Sequence, residues 1–422
     1  MSTLDSSAAN PRFPLFDSLR AIAALSVFLV HLPLAARMSA DNPLRPYLMQ
    51  MNAGVAVFFL ISGFLLYRPF ARARYARESR PAVLPYALRR ALRITPAYWV
   101  ALPIVVLVLG ASGEATTTTH VFTPRGLVSY FGFLQIYDSR TLLGGISAAW
   151  TLCVEASFYA LLPLWALMMR RLPHRSRAGF LRSELAGLAV LFVMGSAWTA
   201  VAAAQTHLTG AVFVDVTEIK PWLYVLPSFL DHFALGMGLA VLSVATAGRP
   251  DAPRAVRLVE RVPWLPWLAA AVSFFLLAHV VGWFHADFAW SYSVIHLLQG
   301  LFALSLLLPA VFSGDGRRWV RTVLSNRALT WVGLVSYSLY LWHAAVIARL
   351  ARAGGLDSLG DLGFSGVALV VSLAIAGVSF YAIERPALRL GRRLLRRRRF
   401  EDADIRMAAL VEYPDGRRAD AS

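Results

Sequence analysis

An arginine and a histidine lie eleven residues apart in the otherwise apolar stretch FDSLRAIAALSVFLVHL, residues 16–32. At about 100° per residue, this spacing is about 20° more than three helical turns, so Arg20 and His31 are expected on one helix face. A neutral imidazole suits proton transfer near pH 7. Ionisable groups inside a membrane helix are costly unless they face a cavity or a partner. The pair therefore predicts a functional polar track along this helix.

Each residue of the pair also has a simpler interpretation. Arg20 alone could be an interfacial cation that extends its charge towards water, and Asp17, one turn earlier, can pair with it. His31 alone could be a buried histidine that hydrogen-bonds another helix. The shared face favours the functional interpretation of the two residues together.

Eight arginines lie between residues 68 and 93, and the last three, Arg89, Arg90 and Arg93, enter an apolar segment. Guanidinium groups match the geometry of phosphate oxygens, so this cluster predicts a cytoplasmic site for a polyanionic nucleotide. The alternative is an anchor that contacts lipid headgroups.

Three further polar groups fall inside apolar segments. Glu155 is expected near the depth of His31, where a carboxylate needs a partner: it could orient an imidazolium, hold an arginine, bind a hydroxyl or form a structural pair. His343 and Asp231 are the candidates for binding substrate. His343 could instead lie at the membrane interface, and His232 could face the cavity in place of Asp231.

The composition shows which elements must position these residues. The 422-residue chain is 58% hydrophobic and 15% charged, with mean hydropathy +0.57, against about 45–50% and 25% in soluble domains. This indicates an all-α polytopic membrane protein with about ten transmembrane helices. The predicted spans are residues 17–36, 53–67, 94–110, 146–169, 185–204, 221–244, 264–284, 291–312, 330–352 and 363–388. Gly54, Ser62 and Gly63 are expected to permit close helix packing, and Cys153 is expected to be a small packing residue.

The basic residues indicate orientation. If the spans alternate, 34 of the 41 Lys and Arg residues fall on the side of the two termini, which predicts cytoplasmic termini. The net charge of +17 then reflects topology and contact with membrane lipids, and no nucleic-acid partner is expected. The predicted organisation is a polar segment at 1–12, a membrane domain at 13–390 and a basic, then mixed cytoplasmic tail at 391–422. We expect no cleavable signal peptide. The first span is expected to direct insertion instead.

Common catalytic motifs are missing from the sequence. There is no Walker A motif, no His-Glu-x-x-His metal signature and no Gly-x-Ser-x-Gly elbow. The sequence therefore predicts chemistry that uses a base and binding groups, with no metal.

Several segments, in order along the chain, resemble the acyltransferase-3 family of integral membrane O-acyltransferases. They are FDSLRAIAALSVFLVH, which fits that family's Arg-x10-His signature at Arg20 and His31, GVAVFFLISGFLL, RRALRITPAYW, AAWTLCVEASFYALLPL, SYSLYLWH and YAIERP. The fourth of these typically carries two acidic residues in the family, whereas here Glu155 is followed by Ala156. Many members also carry a soluble hydrolase-like domain after the spans, and this chain is expected to be a membrane domain alone.

The resemblance implies transfer of an acetyl or other short acyl group from acyl-CoA to a hydroxyl of a carbohydrate, glycolipid or glycosylated secondary metabolite such as a macrolide. It also implies that Arg20 and His31 are needed for activity. Our hypothesis is that His31 is the general base, that Glu155 orients it, and that Arg20, Arg89, Arg90 and Arg93 hold CoA, a co-substrate and not a permanently bound cofactor. Direct transfer and an acyl-histidine intermediate both remain open.

Two other classes of function compete with this hypothesis. A transporter or flippase of a lipid-linked or small substrate would suit buried ionisable residues, although no inverted repeat is evident. A structural or sensory membrane protein would tolerate changes at Arg20 and His31. The Arg- and Ala-rich composition with a single lysine suggests a GC-rich bacterial genome, and hence the bacterial cytoplasmic membrane as the location.

Overall fold

The computed structural model describes residues 15–35, 38–39, 41–110, 121–206, 220–247, 252–284, 288–312, 318–354 and 359–395. Every regular element within these ranges is helical. The ten long helices are α1 (Leu15–Val30), α2 (Ala53–Tyr75), α3 (Val83–Leu107), α4 (Trp150–Arg170), α5 (Arg177–Ala204), α6 (Leu230–Thr246), α7 (Trp264–Phe284), α8 (Phe288–Phe312), α9 (Ser336–Ala353) and α10 (Gly360–Ser379).

Shorter helical elements connect the long ones. The short α-helices are Leu32–Ala35, Arg45–Met49, Pro124–Phe131, Arg254–Arg261, Arg318–Leu324 and Arg327–Leu334. The 3₁₀ turns are Gln135–Tyr137, Ser147–Ala149, Pro221–Leu223 and Leu226–Phe229, and a π-helix, Phe380–Glu384, follows α10. The predicted N-terminal segment 1–12 and the tail beyond residue 395 lie outside the described residues.

The described helices support a multi-pass membrane protein, as predicted. Seven of them are long and apolar enough to cross a membrane, or up to nine if each of two bent pairs counts as one span. The bent pairs are Arg254–Arg261 with the start of α7, at 94°, and Arg327–Leu334 with α9, at 75°. Helix α1 has 16 residues, fewer than the roughly 20 of a full crossing. The predicted count of about ten is therefore not confirmed, and the sidedness of the termini stays a prediction.

Helix α1 ends just before His31, so the predicted span 17–36 is interrupted there. Pro33 has no N–H to donate to the carbonyl of Leu29, and its ring would clash with that carbonyl in a continuous helix. The N–H of His31 donates instead to Phe28 O at 3.2 Å, within a tighter turn. Proline thus places His31 at the end of a helix.

Helix α2 lies at the centre of the bundle and packs against α1, α4, α6 and α8. Glycines make its contacts close. A Cβ at Gly63 would lie 2.5 Å from Phe233 O on α6, and a Cβ at Gly54 would lie 2.5 Å from Ala23 O on α1. The predicted packing role of these two glycines is confirmed, because any side chain there would force the helices apart.

A buried ionic network ties the end of α2 to the start of α5. Glu184 is fully buried; its Oε1 accepts from Arg74 Nη1 at 2.6 Å and its Oε2 accepts from Tyr67 OH at 2.6 Å. Arg74 also donates to Ser183 Oγ and Leu172 O. Because the carboxylate and the guanidinium satisfy each other away from water, the network fixes the angle between the two helices.

Candidate functional site

Five helices, α1 to α4 and α9, surround a cavity of about 710 Å³, its open mouth included. Polar side chains lie among largely apolar walls. The lining residues are Arg20, Val55, Phe58, Phe59, Ile61, Ser62, Leu65, Leu66, Arg90, Arg93, Ile94, Thr151, Leu152, Glu155, Tyr159, Ser336, Tyr337 and Tyr340. Such a mostly apolar pocket with a few converging polar groups is typical of a small-molecule site.

Three of the four predicted phosphate-binding arginines meet in this cavity, and we call their position the arginine end. Arg20 comes from α1, and Arg90 and Arg93 come from α3, where they are three residues apart and share a helix face. Nη1 of Arg20 lies 3.5 Å from Asp17 Oδ1, as predicted. Arg89 is exposed and does not line the cavity.

Glu155 lies in the same cavity as the arginines, with both carboxylate oxygens engaged. Oε1 accepts from Ser62 Oγ at 2.8 Å and Oε2 accepts from Tyr159 OH at 2.8 Å. These bonds fix the carboxylate between α2 and α4 and place one negative charge among three guanidinium groups. Neither oxygen contacts His31, so the structure does not bring the two predicted catalytic residues into contact.

His31 contacts His343, which joins the end of α1 to α9. Nδ1 of His31 lies 2.8 Å from Val27 O and 3.4 Å from Nε2 of His343, and the two rings meet edge to face at 4.8 Å. Because a carbonyl oxygen can only accept, Nδ1 of His31 carries the proton and Nε2 carries the lone pair. No described residue hydrogen-bonds that Nε2, so it is available to take a proton.

The backbone also fixes the tautomer of His343. Its Nδ1 lies 3.0 Å from Leu339 O and 2.9 Å from Tyr340 O, so this nitrogen donates. The lone pair on Nε2 therefore points at the Nδ1–H of His31. His343 is fully buried and acts as an acceptor for the first histidine.

Two aromatic rings line the cavity near the histidine pair, and one of them contacts His343. Phe58 and Tyr340 meet edge to face, with ring centres 5.8 Å apart, and both line the cavity. The ring of Tyr340 also lies 5.8 Å from that of His343. We call the Phe58–Tyr340 pair the aromatic end; among the described residues, the cavity lining includes neither His31 nor His343.

Asp231, predicted to bind substrate, lies outside the cavity in a buried cluster with His232 and His296. Its carboxylate accepts from His296 Nε2 at 2.9 and 3.0 Å, from the N–H of His232 at 2.8 Å and from Ser196 Oγ at 3.1 Å. Phe59 and Phe229, whose ring centres are 5.0 Å apart, lie between this cluster and the cavity. The bonds from Ser196 and His296 join α5 and α8 to α6, so Asp231 holds three helices together.

The same cluster has donor atoms within 4.8 Å of one another, close enough to test as a metal site. The imidazoles of His232 and His296 are stacked, with ring centres 4.1 Å apart and planes 15° from parallel. An ion in the plane of one ring would lie well out of the plane of the other, whereas a ligating imidazole directs its lone pair within its own plane. The geometry therefore suits hydrogen bonding better than coordination.

Sequence reasoning missed six polar residues of the cavity: Ser62, Thr151, Tyr159, Ser336, Tyr337 and Tyr340. Tyr159 follows Glu155 by one helical turn, a spacing that could have identified it. Ser62 was expected to serve packing, and its bond to Glu155 joins residues 93 positions apart, which no spacing rule reaches.

Comparisons with known proteins identify the family of this chain. The acyltransferase-3 family, described as an acyltransferase domain, matches residues 14–382. The chain is 25% identical over 409 residues to Acyltransferase MdmB of Streptomyces mycarofaciens, covering 90% of this chain and 93% of that protein. It is 29% identical over 345 residues to the exopolysaccharide production protein ExoZ of Rhizobium meliloti, covering 81% and 90%.

A third relative is longer than this chain. A putative O-acetyltransferase of Staphylococcus aureus is 23% identical over 406 residues, covering 94% of this chain and 61% of the relative. No solved structure matches the chain significantly. Because the family match runs from the start of α1 to the π-helix and includes every helix that lines the cavity, the chain belongs to the acyltransferase-3 family.

Proposed function

We propose that this protein transfers a short acyl group from acyl-CoA to a hydroxyl group of a carbohydrate, glycolipid or glycosylated secondary metabolite in the bacterial cytoplasmic membrane. The observation that carries the proposal is the cavity that joins Arg20, Arg90 and Arg93 to a long apolar interior. Acyl-CoA has the matching chemistry, since phosphates lie at one end of the molecule and an uncharged arm with a thioester lies at the other.

The arginine end supplies the binding groups for the donor. Guanidinium groups bind phosphate oxygens through paired, charge-assisted hydrogen bonds. From Leu66 to Val55 the lining follows α2 for eleven residues, about 16 Å at the helical rise. Phosphates held at the arginine end therefore leave the thioester arm to extend towards the aromatic end.

His31 supplies the base. The acceptor's O–H proton moves to Nε2 of His31 as the hydroxyl oxygen attacks the thioester carbon. The C–S bond then breaks, and the CoA thiolate takes a proton back from the imidazolium, giving the ester and free CoA. In the imidazolium, Nδ1–H still donates to Val27 O and His343 Nε2, so these partners stabilise the charge that forms during attack.

Glu155 acts on the donor cavity in this proposal, because its contacts are Ser62 and Tyr159 and not His31. Its charge offsets part of the positive field of the three arginines. Its hydrogen bonds hold the two side chains in place along the path of the thioester arm.

The relatives support the substrate class. One is named for exopolysaccharide production, and another is named a putative O-acetyltransferase. A hydroxylated glycan acceptor is consistent with both names. A macrolide-type acceptor is supported by the family resemblance alone.

The test uses the full chain, purified and placed in nanodiscs, with radiolabelled acetyl-CoA and a panel of hydroxylated acceptors. We expect release of the CoA thiol together with a labelled ester whose mass exceeds that of the acceptor by one acetyl group. A protein that moves a lipid-linked substrate across vesicle membranes without any acyl donor would instead be a transporter, and the proposal would be wrong.

A further inference from the structure

Two hydroxyl groups and one backbone carbonyl meet where α4 begins beside α9. Thr151 Oγ1 lies 2.7 Å from Tyr340 OH and 3.2 Å from Ala148 O, and Tyr340 OH lies 3.0 Å from Ala148 O. Thr151 and Tyr340 both line the cavity. The three oxygen atoms therefore form a hydrogen-bonded triangle beside the space in which a ligand would bind.

The two hydroxyl protons of this triangle can be arranged in two ways. In the first arrangement, Thr151 donates to Tyr340 and Tyr340 donates to Ala148 O. In the second, Thr151 donates to Ala148 O, which leaves the phenolic O–H of Tyr340 for another acceptor. An unpaired buried carbonyl is costly, and Ala148 O has a donor in both arrangements. Tyr340 can therefore exchange its bond to the backbone for a bond to a ligand.

Tyr340 also contacts the residues that orient His31. Its ring centre lies 5.8 Å from that of His343. Val27, Ala148 and Tyr340 belong to one buried cluster, and the carbonyl of Val27 accepts from Nδ1 of His31. A hydroxyl donor thus lines the cavity next to the histidine pair.

The proposed transfer needs a donor that its other residues do not supply. Attack on a thioester places negative charge on the carbonyl oxygen, and positioned N–H or O–H groups, including that of tyrosine, stabilise this charge. Nδ1–H of His31 already donates to Val27 O and His343, and its Nε2 accepts the proton of the attacking hydroxyl. The arginines hold the phosphates at the other end of the donor.

We propose that the phenolic O–H of Tyr340 donates to the thioester carbonyl oxygen of the donor and stabilises the oxyanion that forms there. The inference rests on the proposed function, because it takes acyl-CoA as the occupant of the cavity. Tyr340 then acts on the carbonyl oxygen while His31 acts on the attacking hydroxyl. The two residues have different roles in the same step.

The bonds and protons of this step balance. As the acceptor oxygen bonds to the carbonyl carbon, the carbonyl π electrons move to the carbonyl oxygen. Tyr340 moves its hydrogen bond from Ala148 O to that oxygen, and Thr151 donates to Ala148 O in its place. When the C=O bond re-forms, the C–S bond breaks and the thiolate takes the proton held by His31. Tyr340 keeps its own proton throughout.

The test compares the binding of two CoA thioethers, so it depends neither on turnover nor on the acceptor. Trifluoroacetonyl-CoA carries a ketone that hydrates to a tetrahedral diol and so resembles the oxyanion state. Trifluoropropyl-CoA has a methylene group in place of that carbonyl and is otherwise the same. Both are titrated into the full chain in nanodiscs.

We expect the wild-type protein to bind the ketone at least about tenfold more tightly than the methylene compound, since one oxyanion donor is typically worth about 10²- to 10³-fold in rate. Tyr340→Phe keeps the ring and removes the donor. It should reduce the preference to less than about threefold and leave the affinity for the methylene compound unchanged.

Two further variants serve as comparisons. Tyr98→Phe removes the hydroxyl of another fully buried tyrosine, which accepts from Gln135 Nε2 at 3.4 Å and does not line the cavity. It should leave the preference unchanged. Thr151→Val keeps the phenol but removes the proton that replaces it at Ala148 O, so it should reduce the preference by a smaller factor than Tyr340→Phe.

The outcomes separate the role of Tyr340 from the function. If the wild-type protein binds both compounds equally, or if Tyr340→Phe keeps the full preference, the assignment of Tyr340 is wrong and the donor site stands. Equal weakening of both compounds in Tyr340→Phe would show that the residue only shapes the cavity. A larger loss in Thr151→Val than in Tyr340→Phe would overturn the assignment in favour of Thr151. If neither compound binds the wild-type protein, the proposed function itself fails, and the inference fails with it.

Discussion

Nδ1 of His31 lies 3.4 Å from Nε2 of His343, although 312 positions separate the two residues in the sequence. Each imidazole also places its Nδ1 against a backbone carbonyl, which leaves a lone pair on each Nε2. The pair therefore has a direction: His343 accepts from His31, and the lone pair of His31 remains open. In this arrangement a neutral acceptor orients the base, and no carboxylate among the described residues hydrogen-bonds His31.

His31→Ala should abolish acyl transfer. General base catalysis contributes about 10²- to 10⁴-fold, so we expect the turnover number to fall by at least about 100-fold in a protein that still inserts and folds. The measurement is the initial rate of ester formation at saturating acyl-CoA. Full activity in a folded His31→Ala protein would contradict the assignment of the base.

His343→Ala should lower the turnover number and leave the KM for the acceptor unchanged. The variant removes one of the two acceptors of the His31 Nδ1–H, and Val27 O remains, so the loss should be smaller than that of His31→Ala. The sequence analysis named His343 as a substrate-binding candidate. A rise in the acceptor's KM at constant turnover number would support that role and contradict the positioning role.

The sequence could predict the elements of this site better than their contacts. Arg20, Arg90 and Arg93 were identified because they stand where helices enter the membrane, and the cavity joins all three. Pro33 could also have indicated the break at His31, since proline ends a helix by a local rule. Local spacing thus identifies residue types, helix ends and helix faces.

Contacts between distant helices follow no local rule. Helix spacing placed Arg20 and His31 on one face, but only packing shows that Tyr340, which lines the cavity, contacts His343. Asp231 was a reasonable candidate as a buried carboxylate, and its partners come from three helices that the sequence alone could not arrange.

Arg93→Ala should raise the KM for acyl-CoA. A hydrogen bond to a charged group is worth about 1.5–3 kcal/mol, so its loss corresponds to roughly a 10- to 100-fold rise in KM. Arg89→Ala provides the matched control, since Arg89 lies one turn away and outside the cavity. An exposed charge is screened by salt, and we expect less than about a threefold change there. Equal effects of the two variants would indicate general attraction by the basic segment.

Glu155→Gln should tighten the binding of CoA. The variant removes the one carboxylate among the described residues that line the cavity and keeps an oxygen that can accept from Ser62 or Tyr159. We expect a decrease in the dissociation constant of CoA, because phosphates then meet a more positive cavity. The measurement is a titration at low ionic strength. Unchanged CoA affinity with a loss of turnover as large as that of His31→Ala would instead show that Glu155 acts on the reaction itself.

Glu184→Ala should destabilise the fold, since it leaves Arg74 buried without its anion. Removal of one partner of a buried pair costs about 3–5 kcal/mol. Cys153 provides the measurement: it is the only cysteine of the chain, it is fully buried, and its Sγ lies 3.4 Å from Ala149 O, as expected of a packing residue. A thiol-reactive dye therefore reports unfolding, and we expect its signal at a lower temperature in Glu184→Ala.

The double variant Arg74→Met with Glu184→Leu removes both charges and should recover much of the loss. If Glu184→Ala unfolds at the same temperature as the wild-type protein, the pair does not hold α2 against α5.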